Sequence, residues 1–442
     1  MNALSIDAHL AVALDHCASN GPIAVGLSGG SDSCVLLHAL AALPQARERG
    51  LRAIHVDHGL DADSGEWARQ AVAMAAALGL ACRVLHVCVE RGAGIGPEAA
   101  ARAARYAAWA GELASGEILA LAHHRDDQVE TLLLKLLRGA SAEGLGAMRP
   151  FRALGSSWLW RPLLDLPRAA LSDYAARHAL AWIDDPSNTD QRLDRNYLRQ
   201  RVLPLLRERW PQCDSVIARS ADWQRATADY LANQIEQETT RLTGTEPATL
   251  RVDAWLAAPD AMRDGVLRAW LRRNQLTAPS HSQAVEVIRQ MQTAKAGACP
   301  LVCWPGAEVR RYRGHLFAME RLPSMPSDWS HTFDGSPLVL PANLGTMVLE
   351  SQAGFATPAP VTDGPWIARF RRGGERIQLA GETFHRELRD LFQQAGIPPW
   401  QRGQLPIISD ADGVVLAVGD RWLAAQGDEL WTKKDRHLRW SR

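Results

Sequence analysis

The sequence predicts an α/β protein whose first half contains a parallel sheet covered by helices on both faces. Short apolar runs alternate with segments of helical length and composition from residue 1 to about residue 205. These runs lack the polar alternation of half-exposed strands, which is typical of strands buried on both faces. A glycine-rich turn follows the first run. Because such sheets bind ligands beyond the carboxyl ends of their strands, we expect the functional site at that edge.

The individual elements of this half follow from the same alternation. The predicted strands are Pro22–Leu27, Leu51–Val56, Cys82–Val89 and Glu117–Ala122. The predicted helices are Ser33–Ala42, Ser64–Leu80, Pro97–Ala114 and Asp126–Leu137. Pro97 suits the first turn of its helix, where a missing N–H costs nothing.

The second half predicts two further regions. Residues 206–293 have a mainly helical pattern that is interrupted near 244–247, and 301–322 indicate short strands joined by turns. Stretches rich in Pro, Ser or Gly at 322–337 and 354–365 favour loops, and 366–442 indicate a compact unit of strands and a helix. The predicted division is therefore a catalytic domain at 1–210, a mainly helical domain at 211–325, a linker at 326–365 and a small α+β domain at 366–442.

Composition bounds the class of protein. Lys plus Arg (49) equals Asp plus Glu (49), so the total charge predicts no polyanionic partner, although a local basic face would still allow one. The seven cysteines include no CxxC pair, so neither a disulfide framework nor a cysteine metal site is expected. The sequence has no secretory signal pattern and no apolar run of the ~18 residues that span a bilayer. We expect a cytoplasmic protein with no membrane association.

A phosphate-binding loop is predicted between the first strand and the first long helix. Its residues are Ser28, Gly29, Gly30, Ser31, Asp32 and Ser33. Two adjacent glycines allow a tight turn and a close approach to a ligand, and the following amides open a helix whose positive end attracts phosphate. Asp32 would repel phosphate unless Mg²⁺ or a cationic substrate lies nearby. The alternative is a plain Gly-Ser turn with a helix cap, and the lysine of a Walker loop is missing.

A second polar segment follows the fourth strand. It reads HHRDDQVET (residues 123–131), and Asp127 and Glu130 are three residues apart, so they share a helix face. Such a pair could hold an ammonium group or a metal. The alternative is that acidic residues in a first helical turn merely stabilise the helix dipole.

Several ordered motifs together resemble the tRNA(Ile)-lysidine synthetase family of the N-type ATP pyrophosphatases. They are SGGSDS (28–33), HVDHGL (55–60), EAAARAARY (98–106), AHHRDDQVETLLLKLLRG (122–139), RPLL (161–164), WIDDPSNTDQRLDRNYLRQRVLPLL (182–206) and a C-terminal run within 369–408. The resemblance covers most of the chain and is weak at 210–300 and 325–365. It implies a PP-loop domain of the adenine nucleotide alpha hydrolase-like fold.

The resemblance also implies an activity. Members of the family use ATP to adenylate the wobble cytidine of the isoleucine tRNA with a CAU anticodon, and free L-lysine then displaces AMP to give lysidine. The implied substrates are thus ATP with Mg²⁺, L-lysine and this tRNA. The loop would bind ATP, Asp32 would lie beside Mg²⁺, pyrophosphate or lysine, and His123, Asp127, Glu130 and Arg195 would be catalytic. Which of the carboxylates or His123 removes the lysine proton stays open, as does the choice between a monomer and a homodimer.

Arginines of the last unit are predicted to contact tRNA. They are Arg369, Arg371, Arg372, Arg376, Arg386, Arg389 and Arg402. Arginine suits phosphate contacts and neighbouring aromatic rings can stack on unpaired bases, whereas the alternative is a solvated basic face. Arg192, Arg195, Arg199 and Arg201 form a second basic stretch, and no tryptophan is assigned to RNA.

Two other activities compete with this interpretation. A tRNA cytidine thiolase of the same superfamily would need cysteine pairs, which the sequence lacks. A non-catalytic RNA-binding protein with a relic ATP fold would not need the intact loop or the Asp127–Glu130 pair.

Overall fold

The computed structural model describes residues 5–59, 63–88, 97–184, 190–243, 249–295, 297–326, 328–351 and 364–441. The chain divides into two compact units, residues 1–234 and residues 235–442. No helix within these described ranges is long and apolar enough to cross a lipid bilayer.

The first unit is the predicted α/β fold. Its strands are β1 (Ile23–Gly26), β2 (Arg52–Asp57), β3 (Cys82–His86), β4 (Ile118–Ala120), β5 (Phe151–Leu154) and β6 (Ser157–Trp160). Its helices are α1 (Ile6–Asp15), α2 (Ser31–Ala42), α3 (Pro44–Glu48), α4 (Ser64–Ala77), α5 (Pro97–Glu112), α6 (Arg125–Leu137), α7 (Ala142–Leu145), α8 (Arg168–Arg177), α9 (Asp194–Tyr197), α10 (Leu203–Arg209) and α11 (Cys213–Leu242), the last of which runs into the second unit. A π-helical turn, Leu198–Val202, joins α9 to α10.

The sheet of this unit has the strand order β3-β2-β1-β4-β6-β5 among the described residues. The pairs from β3 to β6 are parallel, and β5 is antiparallel to β6. The strand order reverses between β1 and β4, where Val25 is in register with Ala120. In sheets of this kind the crevice beyond the strands at such a reversal is the usual ligand site.

Helices cover both faces of the sheet because successive β1 residues point to opposite sides. Val25 packs in a core with Leu36 and Leu40 of α2. Ala24 packs in the opposite core with Trp109 of α5 and Leu119 of β4. Burial on both sides explains why these strands are continuous apolar runs.

The second unit combines helices with four small sheets. Its helices are α12 (Val252–Leu256), α13 (Asp260–Arg273), α14 (His281–Thr293), α15 (Leu388–Gln394), α16 (Pro399–Arg402) and α17 (Ala425–Leu430), with a 3-10 turn at Thr432–Lys434. Its strands are β7 (Thr249–Arg251), β8 (Leu301–Trp304), β9 (Ala307–Tyr312), β10 (His315–Met319), β11 (Ser330–Phe333), β12 (Leu338–Val339), β13 (Thr346–Ser351), β14 (Trp366–Arg369), β15 (Arg376–Ile377), β16 (Arg386–Glu387), β17 (Ile407–Ser409), β18 (Val415–Val418), β19 (Trp422–Leu423) and β20 (Arg436–Ser441). In its described residues the sheets are β7-β10-β9-β8, β11-β14-β17-β18-β19, β12-β13-β20 and β15-β16.

The structure corrects the predicted linker at 326–365. Strands β11 and β13 pair with β14 and β20 of the C-terminal fold. Phe333 and Met347 enter the same core as Trp366. The prolines and serines that suggested a linker fall largely between short strands, and strands this short carry little pattern of their own. The expected loops at 244–247 and, for most of its length, at 354–365 lie outside the described residues.

Candidate active site

The predicted phosphate loop leaves β1 at the strand-order reversal and enters α2. Gly30 is the N-cap residue of α2, and Ser31, Asp32 and Ser33 form its first turn. Gly29 has a φ of +89°, a left-handed conformation that favours glycine. A Cβ on Gly30 would contact nothing closer than Ser28 Oγ at 3.6 Å. The loop therefore presents an unobstructed backbone and a helix N-terminus to the crevice, which suits an anion.

A neighbouring segment holds the loop in this shape. Ile183 donates a backbone hydrogen bond of 2.8 Å to the Gly29 carbonyl. Its Cδ1 atom lies 2.4 Å from the position that a Cβ on Gly29 would occupy. Gly29 is thus required both by its φ and by the close approach of Ile183.

Replacing Gly29 by alanine is therefore expected to destabilise the first unit by about 2 kcal/mol, from backbone strain together with the clash. Differential scanning calorimetry without nucleotide measures the change. Gly30→Ala is the matched control, because its φ of −72° is ordinary and its Cβ is accommodated. Equal melting temperatures for Gly29→Ala and the wild-type protein would show that the loop adapts freely.

The loop hydroxyls partly shape the turn itself. Ser33 Oγ donates to the Gly30 carbonyl at 2.9 Å and is 3.1 Å from Ser28 Oγ. Ser28 Oγ in turn accepts from the Gly30 amide at 3.3 Å. Ser28 and Ser33 both line the cavity, and Ser33 is the more buried of the two.

His124, which ends the loop after β4, bridges the two predicted motifs. Its buried ring places Nε2 3.5 Å from a carboxylate oxygen of Asp32 and 3.5 Å from one of Asp127, while Nδ1 is 3.7 Å from Asp126. Burial disfavours the charged ring, but the hydrogen bond to Asp32 and the three surrounding carboxylates outweigh it and raise the pKa of His124. The His124 ring therefore connects the phosphate loop to the acidic cluster on α6.

Asp127 and Glu130, on one face of α6, bind two arginines. Arg195 donates through Nε to Glu130 at 2.6 Å and through Nη2 to Asp127 at 2.7 Å. Arg199 donates to the two Glu130 oxygens at 2.6 and 3.0 Å. Glu130 is fully buried. Burial alone would raise the pKa of Asp127, but the charges of His124 and Arg195 lower it, so this carboxylate is ionised.

A second arginine joins this cluster from the π-helical turn. Arg195 lies in α9 and Arg199 lies four residues later in the turn, so both guanidinium groups reach the same side of the helix. Such turns are frequent at functional sites. The spacing of Arg195 and Arg199 in the sequence was the signal for Arg199, which was not among the predicted catalytic residues.

His123 is a neutral hydrogen-bonding group rather than a cation. Arg161 Nε donates to His123 Nδ1 at 3.2 Å, which leaves the proton of the neutral ring on Nε2. Burial lowers the pKa of His123 to about 3, with Asp127 opposing the shift and Arg161 and Arg195 adding to it. At neutral pH His123 therefore offers an N–H donor and is a weak proton acceptor.

The lowered pKa of His123 predicts how the free energy of unfolding changes with pH. Because the unfolded histidine protonates near pH 6.5 and the folded one near pH 3, His123 is expected to destabilise the folded protein increasingly as the pH falls through that window. Above pH 6.5 its protonation contributes nothing. We expect the difference in unfolding free energy between wild type and His123→Gln, which keeps an acceptor for Arg161, to change across pH 6.5 to 3. A difference that is constant across the window, in paired denaturation curves, would contradict the assignment.

These groups border one cavity of about 560 Å³ beyond the ends of β1, β2 and β4. Its polar end contains Ser28, Asp32, His123 and Asp127. Its apolar lining consists of Ile54, Val56, Trp109 and Leu121. The polar residues His55, His58 and Arg105 also line the cavity. Glu130 is not part of the lining. The cavity thus pairs an anion-binding end with an apolar slot, as a nucleotide requires.

The predicted RNA-binding arginines separate into two groups in the second unit. Arg369 and Arg371 pair with Glu375, and Arg402 donates to the Ile397 carbonyl, so these guanidinium groups support the fold. Arg386 pairs with Glu382 and lies over the exposed ring of Phe384. The more exposed members are Arg372, Arg376 and Arg389.

The sequence matches known families along three separate stretches. They are a PP-loop domain at residues 5–206, a TilS substrate binding domain at 250–317 and a TilS substrate C-terminal domain at 367–440. The tRNA(Ile)-lysidine synthase of Xanthomonas campestris pv. campestris (strain 8004) is 41% identical over 420 residues, covering 95% of each chain. That of Xylella fastidiosa (strain Temecula1) is 42% identical over 422 residues, also with 95% of each chain covered.

The chain belongs to the tRNA(Ile)-lysidine synthase family. It is therefore an enzyme with an ATP-binding PP-loop domain, as the sequence predicted. Among solved structures, the U34-tRNA thiolase NcsA from Methanococcus maripaludis matches with a TM-score of 0.42 and 19% identity, covering 50% of this chain and 77% of that one.

Membership of the tRNA(Ile)-lysidine synthase family does not by itself identify the individual site residues, and the structure shows where they lie. Ser28, Asp32 and Ser33 of the loop meet His123 and Asp127 at the cavity, and Arg195 bridges Asp127 and Glu130. His124, Arg161 and Arg199 join them; the sequence placed them in motifs or a basic stretch but did not predict them as catalytic. Part of the motif at 182–206 and the end of that at 55–60 lie outside the described residues.

Proposed function

We propose that this enzyme ligates free L-lysine to carbon 2 of the wobble cytidine in the isoleucine tRNA with a CAU anticodon. ATP first adenylates the cytidine oxygen with release of pyrophosphate, and the ε-amine of lysine then displaces AMP to form lysidine. The product reads AUA instead of AUG. The observation that carries the proposal is the meeting of the phosphate loop and the acidic cluster at a single cavity.

The first step needs stabilisation of negative charge around the α-phosphate. The cytosine oxygen attacks phosphorus and pyrophosphate leaves, so charge builds on the phosphate oxygens. Asp32 and Ser33 of the first turn of α2 line the cavity, as does His123, so the amides of that turn and the Nε2–H of neutral His123 are the candidate donors. Fixed donors of this kind are effective because they need no reorganisation during the reaction.

The residues present fit a magnesium ion that travels with ATP. Asp32 is the loop carboxylate at the cavity, with 33% of its side chain exposed. Mg²⁺ that accompanies a nucleotide is commonly held by one or two carboxylates together with the substrate phosphates. When bound, Mg²⁺ would neutralise charge that develops on the phosphates.

The second step requires a neutral lysine amine. The amine attacks carbon 2, the bond from carbon 2 to oxygen breaks, AMP leaves and the nitrogen loses a proton. An unperturbed lysine has a pKa of about 10.4, so it enters as the ammonium form. Asp32, Asp57 and Asp127 are the carboxylates that line the cavity. We assign Asp32 and Asp127 to the ammonium group because they belong to the two motifs that meet there. Buried Glu130 acts through Arg195 and Arg199, and it holds them beside the cavity.

His123 is a poor choice for the proton acceptor in this scheme. A group with a pKa of about 3 binds a proton weakly at neutral pH. We therefore assign His123 to hydrogen bonding with phosphate or the cytosine.

The tRNA is proposed to contact both units of the chain. Arg372, Arg376 and Arg389 are exposed and suited to phosphate contacts far from the reacting base. The sequence left open whether the protein is a monomer or a homodimer. Light scattering of the full chain would distinguish the two.

The thiolase alternative would require a reactive cysteine near the loop. Cys34 follows the loop directly, but its thiol is buried and donates to the Gly29 carbonyl at 3.3 Å. Burial raises the pKa of Cys34 to about 11, which opposes thiolate formation. This environment favours a structural role for Cys34.

Incorporation of radiolabelled lysine into unmodified isoleucine tRNA tests the proposal. We expect incorporation that depends on ATP, accompanied by pyrophosphate release. Turnover that requires a sulfur donor and ignores lysine would support the thiolase instead. Absence of any turnover with a folded, RNA-binding protein would support the non-catalytic alternative.

A further inference from the structure

Exposed aromatic side chains are concentrated in one part of the first unit. Within the described residues, five of the six exposed Trp, Tyr and Phe side chains fall between residues 182 and 230. They are Trp182, Tyr197, Trp210, Trp223 and Tyr230, and the sixth is Phe384. The tryptophans Trp255, Trp270, Trp366 and Trp431 are fully buried, as core residues normally are. The exposed set therefore calls for a separate explanation.

Helix α11 arranges part of this set as a regular stripe. Val216, Trp223 and Tyr230 follow one another at intervals of seven residues, which is two helical turns, so they lie on one face. Their exposed fractions are 44%, 64% and 67%. Arg219 lies over the Trp223 ring, with its guanidinium carbon 5.6 Å from the ring centroid. We call Val216, Arg219, Trp223 and Tyr230 the outer face of α11.

The charge around the outer face is positive. The carboxylates of this part of α11 are each bound to an arginine: Asp214 to Arg207, Asp222 to Arg225 and Asp229 to Arg149. Arg219 forms no ion pair in the described part of the chain. A face with rings, one free guanidinium and neutralised carboxylates complements an anion that carries flat apolar groups.

The outer face is fixed to the helix that carries the acidic cluster. Arg207 donates to Asp214 of α11 at 2.8 Å and to Asp126 of α6 at 2.6 Å. Arg225 of α11 donates to the Met148 carbonyl, which also accepts from Gln128 of α6. These contacts fix α11 to the helix that carries Asp127.

We propose that the outer face of α11 is a stacking surface for unpaired nucleotides of the RNA substrate. This inference rests on the proposed function for the identity of the RNA. Unpaired bases expose their faces and stack on Trp and Tyr, whereas paired bases do not offer those faces. Arg219 lies where it can contact the intervening phosphate. The narrow stripe suits a strand of nucleotides, which an anticodon loop supplies.

The test measures binding of the full-length protein to two RNA probes. One probe is a hairpin with CAU in its loop, and the other is a blunt duplex with the sequence of the hairpin stem. For the double variant Trp223→Ala/Tyr230→Ala we expect the dissociation constant for the hairpin to rise about tenfold or more, since each stacked base contributes measurably. Binding of the duplex should change less than about twofold. Trp223→Phe, which keeps a ring, should bind the hairpin nearly as tightly as wild type.

Each other outcome has a defined meaning. Unchanged hairpin binding by the double variant would overturn the proposal, as would an equal loss for hairpin and duplex. A wild-type dimer that the variant converts to a monomer in light scattering would assign the face to a second copy of this chain. Lysine incorporation by the wild-type protein is measured in parallel. If the wild-type protein incorporates no lysine, the proposed function is contradicted, and the RNA-binding data still test the stacking surface separately. Circular dichroism checks that the variants are folded.

Discussion

Replacing Asp32 by alanine is expected to abolish lysine incorporation while the protein stays folded. Asp32 lies in the first turn of α2, lines the cavity and touches His124. It is the carboxylate best placed for Mg²⁺ or the lysine ammonium, so its loss removes charge stabilisation at the reacting centre. Loss of one such group costs about 100-fold to 1,000-fold in rate. Incorporation of radiolabelled lysine is the measurement.

The structure supplies controls for Asp32→Ala. Asp32→Asn keeps the shape of the side chain and should lose activity as well, because the charge is what matters. Asp173→Ala changes an exposed carboxylate on α8 and should leave activity unaltered. Full activity of Asp32→Ala, with a normal melting temperature, would mean that the loop has been assigned wrongly.

Glu130→Gln is expected to lose both stability and activity. Fully buried Glu130 accepts from Arg195 and Arg199, and its neutral replacement would leave two guanidinium charges facing Asp127 alone. Breaking a buried ion pair by removing one partner costs about 3 kcal/mol. Displacement of the arginines would also change the cavity wall behind Asp127, so lysine incorporation should fall. Thermal denaturation and the lysine assay measure the two effects.

A matched surface pair separates burial from charge. Asp194, in the same segment as Arg195, pairs with Arg138 at 3.0 Å, and both side chains are largely exposed. Asp194→Asn should change stability by less than about 1 kcal/mol, because exposed ion pairs contribute little. If Glu130→Gln were as stable and as active as Asp194→Asn, the buried cluster would have no part in the reaction.

The first unit could be predicted closely because its signals are local. The strand predicted at Pro22–Leu27 is β1 (Ile23–Gly26), and the helix predicted at Asp126–Leu137 is α6 (Arg125–Leu137). Burial on both faces gives such strands a continuous apolar run that is hard to mistake. The antiparallel strand β5 and its turn to β6 were missed, because a four-residue strand beside a tight turn leaves little pattern.

The sequence identified the motifs that form the site but not the contacts between them. Asp32 and Asp127 were recognised from separate segments, whereas the His124 ring that bridges them depends on how the ends of β1 and β4 align. Arg199 was recognised as part of a basic stretch. Its hydrogen bond to Glu130 joins residues that are 69 positions apart in the sequence and starts from the π-helical turn. The sequence suggested that the acidic pair holds lysine, but it gave no sign that two arginines occupy that pair.

The second half was harder to read because its strands are short. The stretch assigned to a linker contains β11, β12 and β13. Strands β11 and β13 pair with β14 and β20, which lie further along the chain. No tryptophan was assigned to RNA from the sequence, although Trp366 and Trp431 are buried and Trp223 is exposed. Sequence alone could not separate them, because exposure depends on which helix face meets the core.

A crystal structure with a non-hydrolysable ATP analogue tests the central claim most directly. We expect the phosphates against the backbone amides between Gly29 and Ser33, and the base among Ile54, Val56, Trp109 and Leu121. A triphosphate bound elsewhere on the protein, with this turn free of ligand, would contradict the assignment of the loop and the reaction scheme built on it.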